Sequence, residues 1–147
     1  MKRILFIMLI MLPQTALANA VQLPINNLFD AMREHNGDKL LQQFSKDAQL
    51  HRAEVDGTVS VADIEKFASS ITKSTKYLDE HLLDIIVHQQ ANLASVWTPY
   101  AFYLDQKLSH CGVNSFQLIK QKGSWKIHYL IDNTHQGDCN VFINRYK

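Results

Sequence analysis

The chain has 147 residues, 15 of them basic and 14 acidic, for a formal net charge of +1. That length supports one domain with its own core, and 46% hydrophobic with 20% charged residues excludes a disordered chain or a coiled coil. Near-neutral charge without a Lys/Arg cluster excludes the electrostatic footprint of a nucleic-acid binder and argues against an anionic surface partner.

Lys2 and Arg3 precede an apolar run from Ile4 to Leu12, which is too short to span a bilayer. Pro13 follows, and Ala16-Leu17-Ala18 and Ala18-Asn19-Ala20 each offer small residues at a cleavage site. The pattern is a cleavable signal peptide over residues 1–20, cut after Ala18 or Ala20, with a single domain over 21–147. The expected location is the periplasm or the secreted medium, with no membrane association after cleavage. Without Lys2 and Arg3, 13 basic residues face 14 acidic ones.

Leu23-Pro24-Ile25 opens a first helix, with Pro24 in its first turn and Ile25, Leu28, Phe29 and Met32 as one apolar stripe. Asn36-Gly37 ends it. Asp38 caps a short second helix carrying Leu40, Leu41 and Phe44. Ala48 to Arg52 is a short strand, and Asp56-Gly57 a turn. A third helix starts at Ser60, with Asp63 as a capping-box residue and Val61, Ile64, Phe67, Ala68 and Ile71 inward. Strands follow over His81–Gln89, Asn92–Leu104, Leu108–Gln121 and Ser124–Thr134, and Val141-Phe142-Ile143 is an edge strand in the tail. Helices first and strands after make an α+β domain with helices on one face of the sheet.

Cys111 and Cys139 are the only cysteines. In an exported protein a disulfide is the natural reading. Two free thiols or a metal pair are the alternatives, although two cysteines without a CxxC make a poor metal site.

A two-residue hairpin loop at Lys122-Gly123 sets Gln121 opposite Ser124, Leu118 opposite Ile127 and Phe116 opposite Tyr129. Phe116, Leu118, Trp125, Ile127, Tyr129 and Ile131 then share one face, with His128 and Asp132 on the other. A two-residue loop at Gln106-Lys107 sets Trp97 opposite Phe116 and Tyr103 opposite His110. The inner face then holds Trp97, Tyr103, His110, Asn114, Phe116 and Tyr129 and no carboxylate. The outer face carries Tyr100, Phe102, Val113 and Ile119. A bulge would flip each assignment beyond it.

His110 is the leading candidate for acid–base chemistry, because an imidazole changes charge near neutral pH. Tyr103 and Tyr129 offer hydroxyls, Asn114 an amide and Trp97 a stacking surface. Each also has a structural explanation: a histidine bonded to a neighbouring strand, tyrosines with hydroxyls at the rim, packed indole, and a satisfied amide at a bulge. The seven histidines include no HxH or HExxH spacing, so no metal is expected, and no motif asks for a cofactor.

Several stretches together resemble NTF2-like (SnoaL-like) domains. At the start they are Leu28-Phe29, Gly37-Asp38, Leu40-Leu41 and Phe44. Later, Ala94-Ser95-Val96-Trp97 with Tyr100, His110-Cys111-Gly112, Phe116-Gln117-Leu118 and Gly123-Ser124-Trp125-Lys126-Ile127 are similar to exported bacterial members. The resemblance implies a cone in which a curved antiparallel sheet wraps three N-terminal helices around a pocket. It also implies a homodimer through the outer sheet face. The family includes isomerases, dehydratases, cyclases, transport factors and small-molecule binders, so fold alone does not assign activity. Isomerase members use acidic groups in the pocket, and no acidic motif matches here. The leading expectation is a binder of a small, partly apolar ligand lined by Trp97, Tyr103, His110, Asn114, Phe116 and Tyr129. The alternatives are an isomerase, dehydratase or cyclase using His110 and Tyr103, and a protein-interaction module acting through the outer face.

Overall fold

The first helix begins well before its apolar stripe. The structure, a computed structural model, describes residues 14–147, with side chains from residue 19, and α1 runs Gln14–Arg33 with Pro24 inside it. The charged and apolar part of the expected signal peptide, residues 1–13, lies outside the described residues. Pro24 removes one hydrogen-bond donor from the helix. Val21, Ile25, Leu28, Phe29 and Met32 are buried along one side, as the 3.6-residue period requires.

His35, at φ 53°, takes the left-handed position after α1, rather than Gly37. Gly37 instead starts α2 (Gly37–Leu41), and Asn36, not Asp38, caps it by accepting from the Lys39 amide at 2.8 Å. α3 (Ile64–Lys73) passes so close that a Cβ on Gly37 would lie 2.5 Å from Thr72 Oγ1.

β1 (Phe44–Ala53) absorbs Phe44, which the sequence placed in the second helix. Ser60 and Val61 belong to β2 (Val59–Ala62), not to the third helix. Gly57, at φ 84°, and the Thr58 amide bonded to Asp56 turn the chain back, so that 59–62 pair antiparallel with 50–53. Asp63 then becomes the N-cap of α3, accepting from the Lys66 amide at 2.9 Å.

The expected strand over His81–Gln89 is two strands, β3 (Leu78–Leu82) and β4 (Ile86–Gln90), both laid along β5 (Leu93–Leu104). β6 (Lys107–Gln121) and β7 (Ser124–Thr134) follow as expected. The tail is not an edge strand but a helix, α4 (Cys139–Asn144), because Asp138 caps it by accepting from the Asn140 amide at 2.7 Å. Cys111 and Cys139 form a disulfide, with Cα atoms 5.7 Å apart, tying α4 to β6.

Among the described residues seven strands form one open sheet in the order β2-β1-β7-β6-β5-β3, with β4 also on β5. β1 and β7 run parallel, so the sheet is mixed rather than wholly antiparallel. α1 packs on the inner face, where Phe29 meets Phe116 edge-on at 6.4 Å.

Two irregularities decide which residues face inward. The Lys122-Gly123 hairpin holds its expected register from Gln121↔Ser124 to Leu118↔Ile127. His128 then bulges, so that Phe116 meets Leu130 and not Tyr129. In the other hairpin the loop is Asp105-Gln106, both at positive φ, rather than Gln106-Lys107. A second bulge at Ser109 leaves Phe102 opposite His110, Tyr100 opposite Gly112 and Val96 opposite Phe116. Tyr100 and Phe102 therefore face inward, and Trp97 faces outward, 48% exposed.

Candidate functional site

Between the helices, the β1–β2 hairpin and the concave sheet lies a cavity of about 450 Å³. Leu28, Met32, Leu50, Phe67, Phe102 and Leu130 supply apolar wall, and Glu80, Asn114, His110, Arg52 and Asp132 supply polar groups.

Glu80 sits on β3 opposite Phe102, where strand alternation aims it inward between Leu78 and Leu82. Only 9% of it is exposed, and Asn114 Nδ2 donates to its Oε1 at 2.7 Å. Burial pushes the Glu80 carboxyl up to about 8, and the Asp132 charge adds to the rise. The Asn114 hydrogen bond and the Arg33 and Arg52 charges pull the other way without reversing it. Glu80 is thus predominantly an uncharged acid at neutral pH. Its backbone is anchored by Arg33, whose Nη2 donates to the Glu80 carbonyl at 3.0 Å while its Nε donates to Asp79 Oδ1 at 2.6 Å.

Arg52 and Asp132 are direct partners across the parallel β1–β7 pair. Arg52 Nε lies 3.0 and 3.2 Å from the two Asp132 oxygens, and Nη2 donates to Oδ2 as well. The fork is bidentate, the strongest geometry for this pair.

His110 is half-buried, 3.1 Å through Nδ1 from Ser109 Oγ and 5.0 Å from the Phe102 ring. Burial lowers its pKa, and the Arg52 charge lowers it further, against an upward pull from Asp132. Its imidazole is mostly neutral at pH 7.

Tyr100 forms part of the buried floor. Its hydroxyl crosses Gly112 and donates to the Asn133 carbonyl at 3.1 Å. A Cβ on Gly112 would lie 1.9 Å from that carbonyl oxygen, so only glycine fits. Thr98, opposite Asn114, has a fully buried Oγ1 without a hydrogen-bond partner among the described residues.

Of the six pocket residues expected from the sequence, His110 and Asn114 line the cavity. Phe116 is fully buried in the core against Phe29. Trp97 pairs with Ile86 and Ser115 on the outer face. Tyr103 stacks on His81 at 4.7 Å, on the face opposite His110. Tyr129 is turned out by the His128 bulge, its hydroxyl 3.1 Å from His51 Nδ1.

The expectation of an inner face without carboxylates is overturned by Glu80 and Asp132. Glu80 had a usable signal: Leu78-Asp79-Glu80-His81-Leu82 places it in phase with two leucines at period 2. Asp132 had none short of knowing the bulge. Among the described residues, no group of three or more His, Cys, Asp or Glu side chains could hold a metal ion. What the arrangement offers chemically is a proton-bearing carboxyl and a neutral imidazole beside the Arg52–Asp132 pair, with apolar wall from the helices and the sheet.

No protein-family model matches the chain, and no curated protein matches it. Solved structures do. An NTF2-like protein of unknown function from Shewanella baltica is 15% identical at TM-score 0.65, over 86% of this chain and 99% of that one. A protein provisionally assigned as a scytalone dehydratase from Novosphingobium aromaticivorans is 13% identical at TM-score 0.70, over 84% and 87%. One provisionally assigned as an NTF2-like dehydratase from Streptomyces avermitilis is 13% identical at TM-score 0.69, over 85% and 100%. At such identities the likeness speaks for the fold. With the helices wrapped by a curved, open sheet around an inner pocket, the chain has the NTF2-like fold.

Proposed function

We propose that this chain binds a small, partly apolar ligand in the cone cavity, and that Glu80 donates a hydrogen bond to a carbonyl or hydroxyl oxygen of it. The observation that carries the reading is the buried Glu80 carboxyl, held by Asn114 and pushed up to about 8 by burial, on the wall of a cavity of about 450 Å³ with much apolar lining. Such a cavity, with a few converging polar groups, is the usual form of a small-molecule site. Neutral bicyclic alcohols and ketones such as 2-naphthol and 1-tetralone test it by thermal shift. A ligand at ~100 times its Kd adds about 2.7 kcal/mol to stability. Stabilisation of the wild type and its loss in Asn114→Leu support the reading. No stabilisation, or an equal gain in both proteins, contradicts it.

A second reading is an acid–base enzyme of the dehydratase or isomerase kind. The specific observation in its favour is that Glu80 and His110, both mostly uncharged at neutral pH, line one cavity. Burial brings the Glu80 acid toward neutral pH and keeps His110 in its proton-accepting form, the two roles that proton transfer requires. Two of the structural relatives are provisionally assigned as dehydratases. Tyr103 has no part in this version, since it lies across the sheet.

Export belongs to the same proposal: cleavage after Ala20 would start the chain at buried Val21 and leave Pro24 in the first helical turn. Mass spectrometry of the exported protein reads the cut site. Self-association through the outer face is supported by the exposed neighbours Trp97 and Ile86, and light scattering reads the mass.

A further inference from the structure

We propose that Asp132 is the specificity-determining residue of the cone pocket: by occupying Arg52 it makes the pocket select uncharged ligands and reject carboxylates. The inference rests on the reading of this cavity as a ligand site.

Arg52 alone on this wall would be an anion receptor. A guanidinium beside apolar walls is the preferred partner of a carboxylate, which it grips through two parallel donors. Here that grip is already taken, since Nε reaches both Asp132 oxygens and Nη2 reaches one. Asp132 is the more sheltered partner, its side chain 14% exposed against 46% for Arg52.

The remaining charges also disfavour an anion. Glu54, bonded by Ser60 Oγ at 2.6 Å, adds negative charge to the cavity lining. Glu80 and His110 contribute little charge at neutral pH. A carboxylate entering would shed water and, among the described residues that line the cavity, find no unpaired cation in return, which is costly. A ketone or alcohol of the same shape would meet the Glu80 proton without that loss.

The pair is also poorly explained as a strand clamp. β1 and β7 are already joined by a parallel ladder from Gln49↔Tyr129 to Ala53↔Asn133. Asp132 faces Arg52 on the cavity side because the His128 bulge turns it there.

A matched pair of probes tests this: 2-acetonaphthone and 2-naphthoate, alike in shape and different in charge, titrated calorimetrically at pH 7. The wild type should prefer the ketone. Asp132→Asn should tighten naphthoate on the order of ten- to a hundredfold, the range of one charge-assisted hydrogen bond, with little change for the ketone. The double variant R52Q/D132N, which restores neutrality without an unpaired charge, should return to ketone preference and also serves if D132N folds poorly. Wild type binding both probes equally, or naphthoate gaining nothing in a folded D132N, overturns the inference while the ligand-site reading stands. If neither probe binds any of the proteins, that reading fails and the inference with it.

Discussion

Asn114 and Glu80 meet across an intervening strand: Asn114 Nδ2 on β6 donates to Glu80 Oε1 on β3 at 2.7 Å, with β5 between them. The side chains cross the floor of the cone because sheet curvature brings their strands together. The amide therefore holds a buried acid that no residue on the neighbouring strand bonds.

That acid ties stability to pH in an unusual direction. An unfolded Glu80 titrates near its ordinary 4.5 and the folded one near 8. Between those values the native state holds a proton that the unfolded chain has released, so raising the pH favours unfolding. The contribution is fully present below about 4.5 and is lost as pH rises through about 8. Compared with Glu80→Gln, the wild type should lose on the order of a few kcal/mol between pH 5 and pH 8, at about 1.4 kcal/mol per pKa unit. Urea unfolding at several pH values reads this, and parallel profiles for the two proteins would count against a raised carboxyl.

Asn114→Ala removes the one side-chain hydrogen bond that pulls the Glu80 pKa down. The carboxyl should then titrate still higher, and the protein should lose about 1–3 kcal/mol for an abandoned buried partner. A Glu80 midpoint that falls on this substitution would contradict the assigned contact.

Cys111 and Cys139 close a loop of 28 residues. The chain-entropy model gives roughly 3–4 kcal/mol for such a loop. The double Cys→Ala variant should lose stability of that order, and hydrogen exchange should rise first in α4. Unchanged stability would mean that α4 is held by other contacts.

Gly112→Ala should cost more than an ordinary surface change, because its Cβ would enter the Asn133 carbonyl. Tyr100→Phe removes only the hydroxyl bond to that carbonyl and should cost about 1 kcal/mol. A thermal melt in which the alanine variant matches the wild type would show that β6 and β7 can separate there.

The helical N-terminus followed by long strands was legible because apolar spacing follows burial. Leu118 opposite Ile127 also came out of the Lys122-Gly123 turn alone. Beyond that point two single-residue bulges, at His128 and Ser109, moved each later side chain to the other face. Tyr129 and Trp97 left the pocket on that account, and Asp132 and Phe102 entered it. His128 and Ser109 carry no glycine signature, so alternation continued straight through them on paper. Val141-Phe142-Ile143 read as a strand because three apolar β-formers outweighed the weaker signal of Asp138 as a cap.

The state of the Glu80 carboxyl tests the central claim most directly. In protein labelled with ¹³C at glutamate side chains, its carboxyl resonance is followed from pH 4 to pH 10. The account predicts a midpoint near 8, moved further up in Asn114→Ala. A midpoint in the ordinary carboxylate range of about 4–5 would mean a charged pocket wall, and the proposed proton donor would be gone.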